Sequence, residues 1–141
     1  MTDLDTAKEK LGSHSVCFCK NGEYFTCDGR GISPLMKLVE DGRDVSGSAV
    51  ADIIVGKAAA MLFVKMGVAE VYGRVMSKSA AKFLEKNAVP LSYGTLTEKI
   101  INRGGDGICP MEQAVTGIDD VDEAYQALKT RLSELKYSKN K

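Results

Sequence analysis

The spacing of apolar residues changes early in the chain from a helical to a strand period. Apolar side chains recur every three to four positions over Asp3–Leu11, which predicts a short helix. From 15 to 28 the period falls to two, and Asn21-Gly22 in its middle suits the positive dihedrals of a type I′ turn. This stretch is therefore predicted to be a β-hairpin. Both of its faces are apolar enough to be covered, which favours a sheet with helices on each side.

Strand and helix periods then alternate along the chain. Ser33 and Pro34 predict a helix start, with Ser33 as its N-cap. The predicted elements that follow are a strand at 50–55, a helix at 57–66, a strand at 69–76 and a helix at 77–86. Next come a brief strand at 89–93, which Pro90 makes either an edge strand or one with a late start, and a helix begun by a capping box at 95–98. Alternation of this kind implies that the strands after the hairpin in the sequence pair parallel to one another. The predicted fold class is α/β, a three-layer α/β/α sandwich over a mixed sheet of about five strands with a leading antiparallel hairpin.

The segment 102–112 carries the strongest local signal, reading Asn-Arg-Gly-Gly-Asp-Gly-Ile-Cys-Pro-Met-Glu. Its clustered glycines indicate sharp bends or the close approach of another group. Because Pro110 suits the first helical position, Cys109 is predicted to be the N-cap of a short helix ending near Gly117. Glu112 then stands at the third helical position, from which its carboxylate can reach back to the cap residue.

A last helix is predicted over about 119–136, capped by Asp119 and amphipathic along its length. The whole chain, 1–141, is predicted to be one domain whose core spans about 13–117.

Composition narrows the class of protein. With 19 basic and 19 acidic residues, the formal net charge is zero, so the basic footprint of a nucleic-acid-binding protein is missing. The longest apolar run, 58–64, is too short for a bilayer, and the polar first residues do not form a secretory signal. We therefore expect a cytoplasmic protein with no membrane partner, in which the four cysteines are reduced and mostly buried.

Three segments, 31–35, 52–59 and 102–112, together resemble an uncharacterised prokaryotic domain family of the cytidine-deaminase-like superfamily. The string Cys-Pro-Met-Glu after the glycine-rich loop is the most specific of these matches. The resemblance implies the deaminase-like sandwich over most of the chain, and it leaves homo-oligomer formation open.

Enzymes of that superfamily hold zinc through a His or Cys at the start of the second helix of the sandwich and two cysteines at the start of the third. Gly56-Lys57-Ala58-Ala59 and Ser77-Lys78-Ser79-Ala80 stand at those places here. Since none of these residues is a zinc ligand of the usual type, we expect no cofactor and no metal. A zinc hydrolase with unusual ligands is the weakest of the alternatives.

Three residues are the candidates for catalysis. Cys109 at a helix N-terminus is a candidate nucleophile or redox thiol, with Glu112 or Lys57 as the only nearby base that the sequence offers. Lys57 begins the second helix, where its ammonium group could replace the charge of the lost metal. Each has a plainer interpretation as well: an unreactive buried cap for Cys109 and a surface side chain for Lys57.

The loop before Cys109 is the candidate ligand-binding element. Its backbone N–H groups could bind an anion with help from the arginine side chain, although a tight turn with a solvated arginine explains it equally well. The residues assigned to ligand binding are Asn102, Arg103, Gly105, Asp106 and Gly107.

The sequence thus predicts a zinc-less deaminase-fold protein that binds a small polar ligand, anionic or nucleotide-like, with thiol-dependent chemistry at Cys109 as an option. Whether it is an enzyme stays open at this point. The alternative is a non-catalytic protein-interaction or regulatory module on the same scaffold, which would present a contiguous apolar patch.

Overall fold

The computed structural model describes residues 2–29, 31–100 and 109–139. The elements in chain order are α1 (Asp3–Leu11), β1 (Val16–Lys20), β2 (Glu23–Cys27), α2 (Ser33–Glu40), β3 (Ala49–Val55), α3 (Lys57–Met66), β4 (Glu70–Ser77), α4 (Lys78–Lys86), β5 (Leu91–Thr97), α5 (Pro110–Ala114) and α6 (Val121–Lys139). The alternation of strands and helices matches the order that the apolar spacing predicts.

The five strands form one open sheet in the order β2-β1-β3-β4-β5. β1 pairs antiparallel with both β2 and β3, whereas β3, β4 and β5 run parallel. α1 packs on one face of the sheet, where Ala7 and Leu11 meet Cys17, Cys19 and Ala51. The other face carries the main core, to which α2, α3, α4, α5 and α6 all contribute buried side chains. The predicted α/β sandwich with its leading hairpin is confirmed.

The hairpin turn forms where the residue types predict it. Asn21 and Gly22 have φ values of 53° and 82°, the left-handed pair that a type I′ turn needs. The Asp3 carboxylate of α1 accepts hydrogen bonds from both of their N–H groups at 3.0 Å. These bonds hold the pKa of Asp3 below its usual range, the Gly22 bond most of all. The first turn of α1 thus holds the hairpin turn in place.

Two predicted helix starts differ from the structure. Ile32, not Ser33, is the N-cap of α2, so Ser33 and Pro34 are its first two residues. Asp120, not Asp119, caps α6, because its carboxylate accepts from the N–H groups of Asp122 and Glu123 at 2.8 and 2.9 Å. A one-residue displacement of this kind is not visible in a local sequence pattern.

The predicted helix at 95–98 is wrong. Thr95, Leu96 and Thr97 belong to β5 and pair with Val75, Met76 and Ser77 of β4. Pairing with a neighbouring strand outweighs the local capping pattern, and β-branched threonine suits a strand. The delayed start after Pro90 is confirmed, since its carbonyl accepts the N–H of Val71 at 3.0 Å and the strand begins at Leu91.

The parallel strands bring the starts of two helices to one edge of the sheet. α3 begins two residues after β3 ends, and α4 begins directly after β4. α5 lies against α3 and α6 at this same edge. No helix in the described part of the chain has both the length and the apolar character needed to cross a membrane.

Candidate functional site

The Glu112 side chain of α5 lies on the N-terminus of α3. Its Oε1 accepts the backbone N–H of Lys57 at 2.7 Å, and its Oε2 accepts that of Ala58 at 2.8 Å. The first N–H groups of a helix have no partner within the helix, and its positive dipole end favours a carboxylate. Glu112 therefore caps α3 through two residues that lie 55 and 54 positions before it in the sequence. The expectation that it reaches back to the cap residue of its own helix is wrong.

Gly56 makes this contact sterically possible. A Cβ atom built on it would lie 2.5 Å from Glu112 Oε1 and 2.6 Å from Glu112 Cδ. Its φ of −95° and ψ of 179° are extended values that any residue adopts. The glycine is thus needed for the approach of the carboxylate and not for the backbone. Sequence reasoning missed this role, although a glycine directly before a helix was the available signal.

Lys57 makes the return contact. Its ammonium group donates to the carbonyl oxygen of Val115, the C-cap residue of α5, at 3.1 Å. A cation at a helix C-terminus satisfies an unpaired carbonyl and the negative dipole end. α3 and α5 therefore cap each other, the glutamate at one end and the lysine at the other. We call this pair of contacts, with Gly56, the α3–α5 clamp.

Burial sets the electrostatics of the clamp. It raises the pKa of Glu112, and the hydrogen bonds from Ala58 and Lys57, with the lysine charge, offset the rise only in part. The carboxylate is thus more easily protonated than an exposed glutamate. A protonated Glu112 can accept fewer hydrogen bonds, so acid weakens its contact with α3.

Cys109 occupies the N-cap position of α5, as predicted. Its backbone N–H donates to the carbonyl of Ile100 at 3.0 Å, and its own carbonyl accepts the N–H of Gln113 at 3.1 Å. The thiol makes no capping hydrogen bond, and the half-buried side chain packs against the main core. α5 ends at Ala114 rather than near Gly117. Cys109 therefore begins the helix whose other end the Lys57 ammonium holds.

The predicted ligand-binding loop lies immediately before this helix in the sequence. All five of its assigned residues lie outside the described part of the chain: Asn102, Arg103, Gly105, Asp106 and Gly107.

The start of α4 carries its own cap. Ser77 Oγ accepts the N–H of Ala80 at 3.1 Å and lies 3.1 Å from Ser79 Oγ. Serine hydroxyls here and a glutamate bound to backbone N–H groups on α3 are not the soft or imidazole donors that hold zinc. Within residues 2–29, 31–100 and 109–139, no three His, Cys, Asp or Glu side chains are grouped so as to bind a metal. The residues at these two helix starts thus do not fit a zinc ion.

Asp52 is a second unusual carboxylate, on the central strand β3 between Val16 and Gly73 of its neighbours. It accepts the N–H of Ile54 at 3.3 Å. Burial raises its pKa to about 7 in spite of the backbone hydrogen bonds that stabilise its charge. Its described contacts are to the backbone of its own strand.

A separate groove of about 390 Å³ lies at the far end of β1, away from the clamp. Its lining includes Phe18, Phe25 and Arg43, whose guanidinium carbon lies 3.6 Å from the centre of the Phe25 ring. Sequence reasoning did not identify this groove, because its parts come from the hairpin and from the loop after α2.

Comparisons with known proteins found a matching family and similar solved structures. The profile of the domain of unknown function DUF1893 matches residues 7–132, a range that includes all three segments of the resemblance. A crystal structure of a DUF1893 family protein (TM1506) from Thermotoga maritima is 26% identical, with 95% of this chain and 91% of that chain covered and a TM-score of 0.80. The apo dCMP deaminase of the cyanophage S-TIM5 is 14% identical, with 64% and 92% covered and a TM-score of 0.46. No curated protein matches the chain.

Proposed function

Since this chain belongs to the DUF1893 family, we propose its function from the clamp: it binds a small anionic ligand at the N-terminus of α3. In this proposal the Glu112 carboxylate is the resident anion, and the phosphate or carboxylate group of a ligand takes its place. The observation that carries the proposal is the pair of N–H groups, from Lys57 and Ala58, held 2.7 and 2.8 Å from two carboxylate oxygens. The same pair of donors suits two oxygens of a phosphate group.

Displacement of Glu112 also releases Lys57. Its ammonium group now binds the Val115 carbonyl at 3.1 Å, and that bond depends on α5 lying against α3. When α5 moves away, the ammonium group becomes available to pair with the ligand's charge. Lys57 and Glu112 are therefore binding groups in this proposal. As long as its two oxygens are bonded to the N–H groups of α3, the Glu112 carboxylate is not free to act as a base for the Cys109 thiol.

In this proposal the loop before α5 supplies the remaining contacts. It would enclose the ligand with the residues assigned from the sequence, Asn102, Arg103, Gly105, Asp106 and Gly107. A nucleotide-like ligand is the preferred class, since a phosphate group matches the donors of α3 and an arginine side chain binds phosphate strongly.

Isothermal titration calorimetry with inorganic phosphate and with a nucleoside monophosphate tests the proposal. Glu112→Ala removes the competing carboxylate, so it should bind phosphate about tenfold or more tightly than the wild type. Gly56→Ala also dislodges the carboxylate, but its methyl group fills the space that the anion needs, so it should bind no better than the wild type. Glu40→Ala, at the exposed end of α2, is the matched control.

Equal affinity in the wild type and Glu112→Ala would show that the carboxylate and the probe do not compete. The absence of heat with either probe in all four proteins would refute anion binding at this position.

A further inference from the structure

The two outer strands of the sheet differ in how their free edges are protected. β2, with five residues, begins with Glu23, and cationic groups cover its aromatic rings. The Lys10 ammonium lies 5.6 Å from the ring centre of Tyr24, and Arg43 lies over Phe25. A short strand with charged side chains along it is poorly suited to pairing with another chain.

β5 has none of these protections. Its seven residues, Leu91–Thr97, include no charged residue and no proline. Tyr93 and Leu96 are exposed over 44% and 37% of their surface, and they are two of the four large apolar side chains that are exposed in the described part of the chain. A long, uncharged and partly apolar edge strand favours pairing with a further strand.

The register of β5 on β4 shows which backbone groups are free. The N–H of Val71 donates to the carbonyl of Pro90 at 3.0 Å, and Val71 pairs with Leu91. In a parallel ladder, the even-numbered residues of β5 then bond to β4, and the odd-numbered residues direct their N–H and C=O groups outward. No strand among the described residues pairs with this outer side. The outward residues are Leu91, Tyr93, Thr95 and Thr97.

We propose that the free edge of β5 pairs antiparallel with β5 of a second copy of this chain, which joins two sheets into one. A two-fold axis at Gly94 pairs all the residues of the strand and places outward residues opposite one another. Tyr93 then faces Thr95 of the second copy, and Leu91 faces Thr97. An aromatic residue opposite a β-branched one is a favourable cross-strand pair.

Gly94 suits the position at the axis. In this register it faces its own copy in a non-hydrogen-bonded pair, where the two Cα atoms approach to about 4.5 Å. A Cβ atom on Gly94 would already lie 2.9 Å from the carbonyl oxygen of Arg74 on β4, so the glycine is needed within one chain, and its lack of a side chain also leaves room for the second copy. Because β5 carries no charged residue, pairing with a second copy brings no like charges together. A charged strand of another protein would find no opposite charge on β5. The second copy is thus the occupant that this edge fits best.

Light scattering coupled to size-exclusion chromatography tests the proposal on the full chain. The wild type should elute as a dimer at micromolar concentration. Thr95→Lys places two ammonium groups near the axis and should weaken the dimer about tenfold or more. Thr26→Lys, the matched change on the other outer strand β2, should leave the dimer intact.

A mixture of Thr95→Lys and Thr95→Glu separates lost pairing from lost folding. Opposite charges at the axis should restore a mixed dimer, which a misfolded variant cannot form. A monomeric wild type, a dimer that Thr95→Lys leaves unchanged, or a mixture that stays monomeric would each overturn the proposal.

Discussion

Replacing Gly56 by alanine places a methyl group where the Glu112 carboxylate lies. The added Cβ would be 2.5 Å from Glu112 Oε1 and 2.9 Å from Oε2, so the carboxylate must leave the N–H groups of Lys57 and Ala58. The backbone itself accepts alanine, because the φ of Gly56 is −95°. The variant therefore tests the contact between residue 56 and the Glu112 carboxylate, and not the backbone conformation of the glycine.

The expected cost follows from the bonds that are lost. A hydrogen bond to a charged group contributes about 1.5–3 kcal/mol, and the loss of an N-cap costs about 0.5–2 kcal/mol. Burial opposes the ionised form of Glu112, as its raised pKa indicates, which places the expected cost toward the lower end. We expect Gly56→Ala to lower the free energy of unfolding by about 1–3 kcal/mol.

A double-mutant cycle identifies the cause. In a Glu112→Ala background no carboxylate is left to displace, so Gly56→Ala should cost nothing there, or stabilise by about 0.4–1 kcal/mol through the stiffer unfolded chain. The coupling free energy should thus be about 1–3 kcal/mol, measured by urea unfolding of all four proteins. Additive effects of the two substitutions would refute the direct contact between these residues.

Three further predictions concern other parts of the molecule. Because burial raises the pKa of Asp52 from 3.8 to about 7, the native state binds a proton between those values that the unfolded state does not, so this group lowers stability as pH rises through the interval. Asp52→Asn should remove that decline, which is about 3 kcal/mol at most between pH 5 and pH 8, in urea unfolding at these two pH values, and parallel profiles of the two proteins would contradict the assignment. Ser77→Ala removes the acceptor of the Ala80 N–H and should cost about 1 kcal/mol, whereas an unchanged midpoint would show that the cap contributes nothing. Half-buried Cys109 should alkylate faster than Cys17, whose pKa burial raises to about 11, and peptide mass mapping that finds Cys17 modified first would be the opposite result.

Local sequence patterns were sufficient for much of the fold. The hairpin turn at Asn21-Gly22 and the helix Lys57–Met66, closed by Gly67, follow from residue types that act on their own backbone. The sequence also places Cys109 at an N-cap, because Pro110 fixes the helix start.

Long-range contacts determined the features that local sequence patterns did not predict. Glu112 stands where a local cap is expected, yet its carboxylate oxygens accept from the N-terminus of α3, more than fifty residues earlier. The residues around Thr95 have the pattern of a capping box, but β4 offers them a full strand to pair with. In both cases the competing partner is distant in the sequence, so a local pattern carries no information about it.

The amide resonances of Lys57 and Ala58 report most directly on the central claim, that the α3 N-terminus is an anion site held by Glu112. In ¹⁵N-labelled Glu112→Ala, titration with inorganic phosphate should shift these two amides first and most, at lower phosphate concentration than in the wild type. If phosphate leaves both amides unchanged while other residues respond, or moves nothing at all, the anion-site account of this corner is wrong.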